Sequence, residues 1–188
     1  VFADLDSRPS AVEWRFGEVV DRPVTLDLDG GRVVRFAGRL DRVDVTPSGT
    51  RVIDYKSGSG GTERARLKDR LSVQLPVYRL ALRQAWDGEC GSIACLYRFV
   101  TRRGGLEDLP LPEDEGASTR RLADLVARAA ALVEAGMFPR TTRQRCDCCD
   151  LRYACGVSAW TRARKREHDA LGAVVALQSA APEEDGDA

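Results

Sequence analysis

The sequence predicts an α/β domain, a mixed central β-sheet flanked by helices. Three observations predict it: Val-, Leu- and Phe-rich runs broken by turn residues over the first third of the chain, an almost wholly apolar stretch at Ile93 to Val100, and two segments with apolar residues at helical spacing, starting near Ser72 and Ser118. At 188 residues and 43% apolar content the chain is long enough for one domain with a substantial core and too short to promise two.

The elements follow in order. Val19 to Leu28 and Arg32 to Val45, separated by Asp29-Gly30-Gly31, read as an antiparallel hairpin. A second turn, Thr46-Pro47-Ser48-Gly49, leads into Thr50 to Lys56, so the opening third reads as a meander. Gly58-Ser59-Gly60-Gly61 then ends the sheet segment in a flexible loop. In Leu71 to Trp86, Leu71, Leu75, Tyr78 and Leu82 fall along one side of a helix. Pro76 is tolerated only near a helix start, which places that start at about Ser72. Ile93 to Val100 reads as a buried strand. A helix over Ser118 to Ala135 has Ser118 or Thr119 as cap, Leu122, Leu125, Val126, Ala129, Leu132 and Val133 as core stripe, and Gly136 as its end. A last helix is expected around Ala159 to Leu171. Residues 1–179 are read as a single domain that includes a cysteine-rich loop at 140–156, and residues 180–188 as a disordered acidic tail.

No run approaches the roughly 20 apolar residues that span a bilayer, and VFADLDSRPS lacks the basic start and apolar middle of a signal peptide. The expectation is a soluble, cytoplasmic chain with no membrane partner. It opens on Val1 rather than Met, so a fragment lacking an N-terminal helix is expected. Formal charge is zero, with 29 basic and 29 acidic residues. Four acids, Glu183, Glu184, Asp185 and Asp187, lie in the tail, and the rest of the chain carries net +4. Basic residues cluster in TERARLKDR, RFVTRR and TRARKRE. Each cluster reads either as a phosphate contact or as a solvated face.

The most informative stretch is GRLDRVD, a turn, and VIDYK. A connection over Thr46 to Gly49 places Val45 opposite Thr50, Val43 opposite Val52, and Asp41 opposite Asp54, with Cβ atoms about 4.5–5.5 Å apart. Lys56 shares that face, while Ile53 and Tyr55 point the other way into apolar packing. Facing carboxylates repel and ask for a cation. A hard divalent ion such as Mg²⁺ or Mn²⁺ fits carboxylates and a backbone carbonyl, and it can take up phosphate oxygens. The ion polarises a phosphoryl group while the lysine orients water or offsets growing charge, which is phosphodiester hydrolysis. The same alternation also occurs on ordinary solvent-facing strands.

Gly38-Arg39-Leu40-Asp41, Asp54-Tyr55-Lys56 and Gln74-Leu75-Pro76-Val77-Tyr78, in that order, resemble the PD-(D/E)XK nucleases of the RecB and AddB type, over about residues 12–156. The resemblance implies a restriction-endonuclease-like core. It also implies Asp41 and Asp54 as metal ligands, the Tyr55 carbonyl as a further ligand, and Lys56 assisting attack. Gln74 and Tyr78, four apart on one helical face, match the family's Gln and Tyr that reach DNA backbone or active site. By spacing alone Tyr78 reads as core.

Four of six cysteines fall in RCDCCDLRYACG, a spacing that favours metal over disulfide. Cys146, Cys149 and Cys155 suit an iron–sulfur cluster or Zn²⁺. The resemblance implies three ligands of a [4Fe–4S] cluster that pins the C-terminal loop, with the fourth ligand far upstream. No cysteine precedes Cys90, which leaves a segment before Val1, or Cys148, to supply it. Cys90 and Cys95 read as small hydrophobes. The family also presents a His ahead of its first metal Asp. The only histidine here, His168, lies near the other end and reads as surface, and Glu13 falls where some relatives carry an upstream acid.

These features predict a metal-dependent DNA nuclease, an exonuclease rather than an endonuclease, serving as the nuclease module of a helicase–nuclease or exonuclease in DNA end processing, recombination and repair. Its expected partners are DNA and a helicase domain or partner subunit. No Walker-type phosphate loop is present, so a motor would lie outside these residues. Two alternatives stand beside it: an inactive nuclease-like fold that binds DNA or a subunit, and a zinc-ribbon interaction domain.

Overall fold

The computed structural model describes residues 7–18, 22–137 and 168–173. Along the chain run β1 (Arg8–Phe16), β2 (Val24–Leu28), β3 (Arg32–Phe36), β4 (Gly38–Thr46), β5 (Gly49–Lys56), α1 (Gly61–Lys68), α2 (Gln74–Ala85), β6 (Ser92–Phe99), β7 (Asp108–Pro110) and α3 (Glu115–Glu134). Five strands form one sheet in the order β1-β4-β5-β6-β7, and β2 and β3 form a separate two-stranded sheet. β5 and β6 pair in parallel and the other neighbours antiparallel, so the sheet is mixed. Parallel neighbours need a crossover, and α1 and α2 supply it. This is the expected α/β class with a mixed sheet and flanking helices.

The chain divides into two compact units, Val1–Asp124 and Leu125–Ala188. The first holds every described strand and the helices of the crossover. Leu40, Val43, Val52 and Ile53 of the central strands, Leu75 and Leu82 of α2, and Phe99 of β6 are fully buried in it. In the second unit, the end of α3 is closed by Gly136 at φ +65, where the Gly136 and Met137 N–H groups donate to the Val133 and Leu132 carbonyls. That is the left-handed C-terminal cap the glycine predicted. A single 3-10 turn, Asp169–Leu171, is also described there. No described helix is long and apolar enough to cross a membrane.

Several boundaries differ from expectation, each for a local reason. The stretch expected as one strand from Arg32 to Val45 breaks at Ala37, and its two halves serve different sheets. Gly38 sits where an added Cβ would lie 2.9 Å from the Phe16 ring, so the chain passes against β1 at a distance only glycine allows. β1 itself was not anticipated. It is an edge strand with Pro9 beside a register irregularity, and such positions carry little alternation. The Gly58–Gly61 loop is shorter than expected, because Gly60 at φ +76 turns directly into α1. That helix buries only Leu67 and therefore leaves no apolar periodicity in the sequence.

Helix α2 starts two residues later than Ser72, and Pro76 falls in its first turn, where a missing N–H costs nothing. Helix α3 starts at Glu115, and the cap is neither Ser118 nor Thr119: the Asp114 carboxylate accepts the Ala117 N–H at 2.7 Å. Ser118 is buried inside the helix, where its hydroxyl accepts from Arg79 at 3.0 Å. Of the expected α3 stripe, Leu122 and Leu125 are buried, whereas Val133 is exposed. The helix expected around Ala159 to Leu171, the cysteine-rich loop and the acidic tail lie outside the described residues, apart from the 3-10 turn.

Candidate active site

Strand β5 carries the central residues, and its neighbour β4 fixes their register. Thr46 faces Gly49, Val45 faces Thr50, Val43 faces Val52, and Arg42 faces Ile53. The turn between them is therefore the two residues Pro47-Ser48, tighter than the four-residue connection expected, with the same pairing. Gly49 adopts φ +141, and a Cβ there would lie 2.2 Å from the Ser92 carbonyl, so this turn is closed by glycine alone. One step beyond Arg42 the ladder gives way to a side-chain bond: the Tyr55 N–H donates to Asp41 Oδ2 at 2.8 Å. Asp41 is thus held against the backbone of the Asp54-Tyr55-Lys56 element.

Asp54 is almost wholly buried, at 3% exposure. Its Oδ1 accepts from Gln74 Nε2 at 2.8 Å and lies 3.4 Å from the Tyr78 hydroxyl. Its Oδ2 has no aligned hydrogen-bond donor and is met by the Lys56 ammonium at 2.7 Å. Lys56 Nζ also donates to Gln74 Oε1 at 3.1 Å and stands 4.9 Å from the centre of the Tyr97 ring. Gln74 Nε2 donates again to the Tyr78 oxygen at 2.8 Å, and the Tyr78 hydroxyl donates to the Arg39 carbonyl at 3.1 Å. One amide therefore bridges Asp54, Lys56 and Tyr78. Helix α2 presents Gln74 and Tyr78 from successive turns, as four-residue spacing requires.

Burial pushes the Asp54 carboxyl above the usual carboxylate range, and the nearby Asp41 charge adds to the push, while the Lys56 ammonium opposes it. Burial likewise raises the Tyr78 phenol to about 12, so it stays protonated and remains a donor at neutral pH. A buried carboxylate compensated by one lysine and close enough to a second carboxylate to feel its charge could take up a divalent cation. Among the described residues no group of three or more His, Cys, Asp or Glu side chains is placed to hold a metal. Two carboxylates plus backbone could offer donors to an ion that keeps several of its waters, as Mg²⁺ does. That set does not fit a closed cage of the zinc type.

Other expected residues lie elsewhere. Tyr55 does not point into apolar packing: it is 38% exposed, and its hydroxyl accepts from Arg42 at 3.2 Å. Glu13 is engaged at the surface with Arg39, 2.7 Å away. His168 is exposed. Cys95 is buried, with its thiol pushed up to about 12 by burial, and Cys90 donates to the Leu82 carbonyl at 3.4 Å. Cys95 is buried as a small hydrophobe would be, whereas Cys90 is half-buried. Cys146, Cys148, Cys149 and Cys155 lie outside the described residues.

Sequence reasoning missed Tyr97. It faces Asp54 across the parallel β5–β6 pair, and its ring lies under the Lys56 ammonium. Its hydroxyl is within 3.2 Å of the buried Ser72 hydroxyl. Beside this cluster a cavity of about 670 Å³ opens, with Gln74, Tyr78 and Tyr97 shared between its wall and the site.

A mixed sheet whose central strands bring an Asp, an Asp-x-Lys element and a helical Gln to one place defines a restriction-endonuclease-like core, and the chain belongs to the PD-(D/E)XK nuclease superfamily, whose sequence pattern matches residues 2–156. Within that superfamily it is similar to one of the subunits of the ATP-dependent helicase/deoxyribonuclease. Identity is 36% over 125 residues with the protein of Symbiobacterium thermophilum, covering 61% of this chain and 11% of the relative. It is 35% over 133 residues for Moorella thermoacetica, covering 66% and 12%, and 33% over 157 residues for Desulforudis audaxviator, covering 69% and 14%. The chain thus spans only 11–14% of the length of these relatives.

Proposed function

We propose that this chain is a metal-dependent DNA nuclease domain that hydrolyses phosphodiester bonds, with an exonucleolytic mode, as part of a helicase–nuclease acting on DNA ends in recombination and repair. The observation that carries the reading is the buried Asp54 Oδ2, without an aligned donor and 2.7 Å from the Lys56 ammonium. Asp41 and Asp54, with the Tyr55 carbonyl, would hold Mg²⁺ or Mn²⁺. When bound, the ion supplies Lewis-acid polarisation of the phosphodiester. Lys56 sits where it offsets charge developing on the phosphate or orients the attacking water. Gln74 keeps the lysine and the carboxylate in fixed relative positions through its two ends. Tyr78, protonated, holds the Gln74 amide and ties the helix to the Arg39 carbonyl.

The names of the relatives supply the substrate and the company: an ATP-dependent helicase/deoxyribonuclease built from more than one chain. By that likeness the substrate is DNA and the partner a helicase domain or subunit. The direct test uses the protein at its full natural length with end-labelled DNA. Chelation should stop cleavage, and added Mg²⁺ or Mn²⁺ should restore it. Cleavage that continues undiminished after exhaustive chelation would overturn the metal assignment.

For Cys146, Cys149 and Cys155 we propose a [4Fe–4S] cluster with a structural role, the runner-up being Zn²⁺. Anaerobically purified protein should be brown, with broad visible absorbance that bleaches on oxidation. Colourless protein containing zinc would replace the cluster by the metal.

A further inference from the structure

We infer that two basic stretches far apart in sequence, Thr62–Arg70 and Arg98–Arg103, form one phosphate-binding surface beside the Asp54–Lys56 cluster, carrying the nucleic-acid backbone through Arg66, Lys68, Arg102 and Arg103. The inference rests on the proposed action on DNA and names the surface that holds it.

The two stretches are joined by a built contact. Strand β5 ends at Lys56, whose carbonyl accepts the Val100 N–H at 3.1 Å, and the next carbonyl, of Ser57, accepts the Thr101 hydroxyl at 3.1 Å. The turn at Arg102–Gly104 therefore sits on the chain that leaves the lysine. Gly104 is buried, and a Cβ there would lie 2.7 Å from the Gly58 carbonyl oxygen, so the apposition depends on glycine. Arg64 then staples α1 to this turn. It donates to the Ser59 carbonyl at 2.8 Å and the Gly104 carbonyl at 3.2 Å, pairs with Glu107, and lies 5.1 Å from the centre of the Phe99 ring.

The core gains little from this helix, because only Leu67 of α1 is buried. A short helix that is polar nearly all round does not hold its place by apolar burial. The staple instead brings the start of α1 against the turn that carries Arg102 and Arg103. Arg66 and Lys68 on α1 and Arg102 and Arg103 on the turn are all exposed. Among the described residues the side chains of these four make no salt bridge and no hydrogen bond. The stretches themselves hold two acids, Glu63 and Asp69, and the neighbouring acids are taken by other arginines: Glu107 by Arg64, Asp108 by Arg98, and Glu113 by Arg70 and Arg121. Uncompensated like charges repel, and a phosphate backbone is the polyanion that relieves the repulsion while releasing its own counterions. Arg66 also lines the cavity shared with Gln74 and Tyr78, so the charged surface runs into the site itself.

The test measures equilibrium binding of a labelled deoxyoligonucleotide by fluorescence anisotropy over a salt series, using full-length protein carrying Lys56→Ala with a chelator present to hold residual cleavage down. Against this background, Arg102→Ala/Arg103→Ala and Arg66→Ala/Lys68→Ala should each weaken binding about tenfold at moderate salt. The slope of log K against log salt should fall by roughly 1.4 for a single strand, about 0.7 for each cation removed. Arg35→Ala, an exposed cation of the two-stranded sheet, should change neither quantity. Unchanged slopes in both double variants would overturn the surface, as would weaker binding with an unchanged slope, which marks a structural defect. A wild-type protein that fails to cleave with metal while the double variants show the expected slopes would remove the nuclease reading and leave the surface standing.

Discussion

Lys56→Ala is expected to lower the rate of metal-dependent DNA cleavage roughly 100- to 1,000-fold, the range seen when one well-placed electrostatic group is removed from a dry site. The argument is geometric. The ammonium stands on the buried Asp54 Oδ2 at 2.7 Å, and the hydrogen bond it makes to Gln74 aims it rather than letting it wander. Alanine leaves no group that could stand at the phosphate in its place. DNA affinity should be preserved, because the cations proposed to hold the backbone are others. Single-turnover cleavage measured beside oligonucleotide binding separates the two effects. A variant that still cleaves within a few-fold of wild type would remove Lys56 from the mechanism.

Asp54→Asn is expected to abolish the stabilisation that a divalent ion gives to the folded protein. With free ion at 100 times its dissociation constant, a single site on the native state is worth about 2.7 kcal/mol, which moves the melting temperature by several degrees for a domain of this size. The asparagine lacks the charge that draws the ion, so its melting temperature should not respond to Mn²⁺. The pH dependence follows from the direction of the Asp54 shift. Its folded-state value lies above the ordinary carboxylate value, so between the two the native state holds a proton that the unfolded chain has lost. In that window the stability of the metal-free protein falls as pH rises, because the unfolded state binds fewer protons. The ion binds the carboxylate form, so its stabilising effect should grow as pH climbs through the same window. Thermal melts with and without Mn²⁺ across a pH series check both halves. An equal metal response in wild type and Asp54→Asn would show that the ion binds somewhere else.

Much of the site was readable because its parts are local. The Pro47-Ser48 turn sets the β4–β5 register, which the structure follows pair by pair from Thr46 and Gly49 to Arg42 and Ile53. Two-residue alternation put Asp54 and Lys56 on one face, and four-residue spacing put Gln74 and Tyr78 on one side of a helix. Tyr97 was not readable, since its place opposite Asp54 depends on a parallel pairing that spans a crossover of two helices. The break at Ala37 was hidden for a similar reason: it lies where β1 closes against the chain, Phe16 on Gly38 and Gly17 on the Phe36 carbonyl, and both are contacts between residues about 20 apart. Helix α1 was hidden because it has no apolar stripe to show.

The amino-acid sequence by itself determined the α/β class, the order of the motifs and the residue types that can meet a hard cation and a phosphate, since each is written in spacing over a few residues or one tight turn. Tertiary structure alone decided which oxygen of Asp54 is left without an aligned donor, that one Gln74 amide joins helix to strand, and that basic stretches some 40 residues apart meet at Arg64 and Gly104. The physical reason is that desolvation and long-range contact depend on what packs around a group, and no local pattern of residues records that.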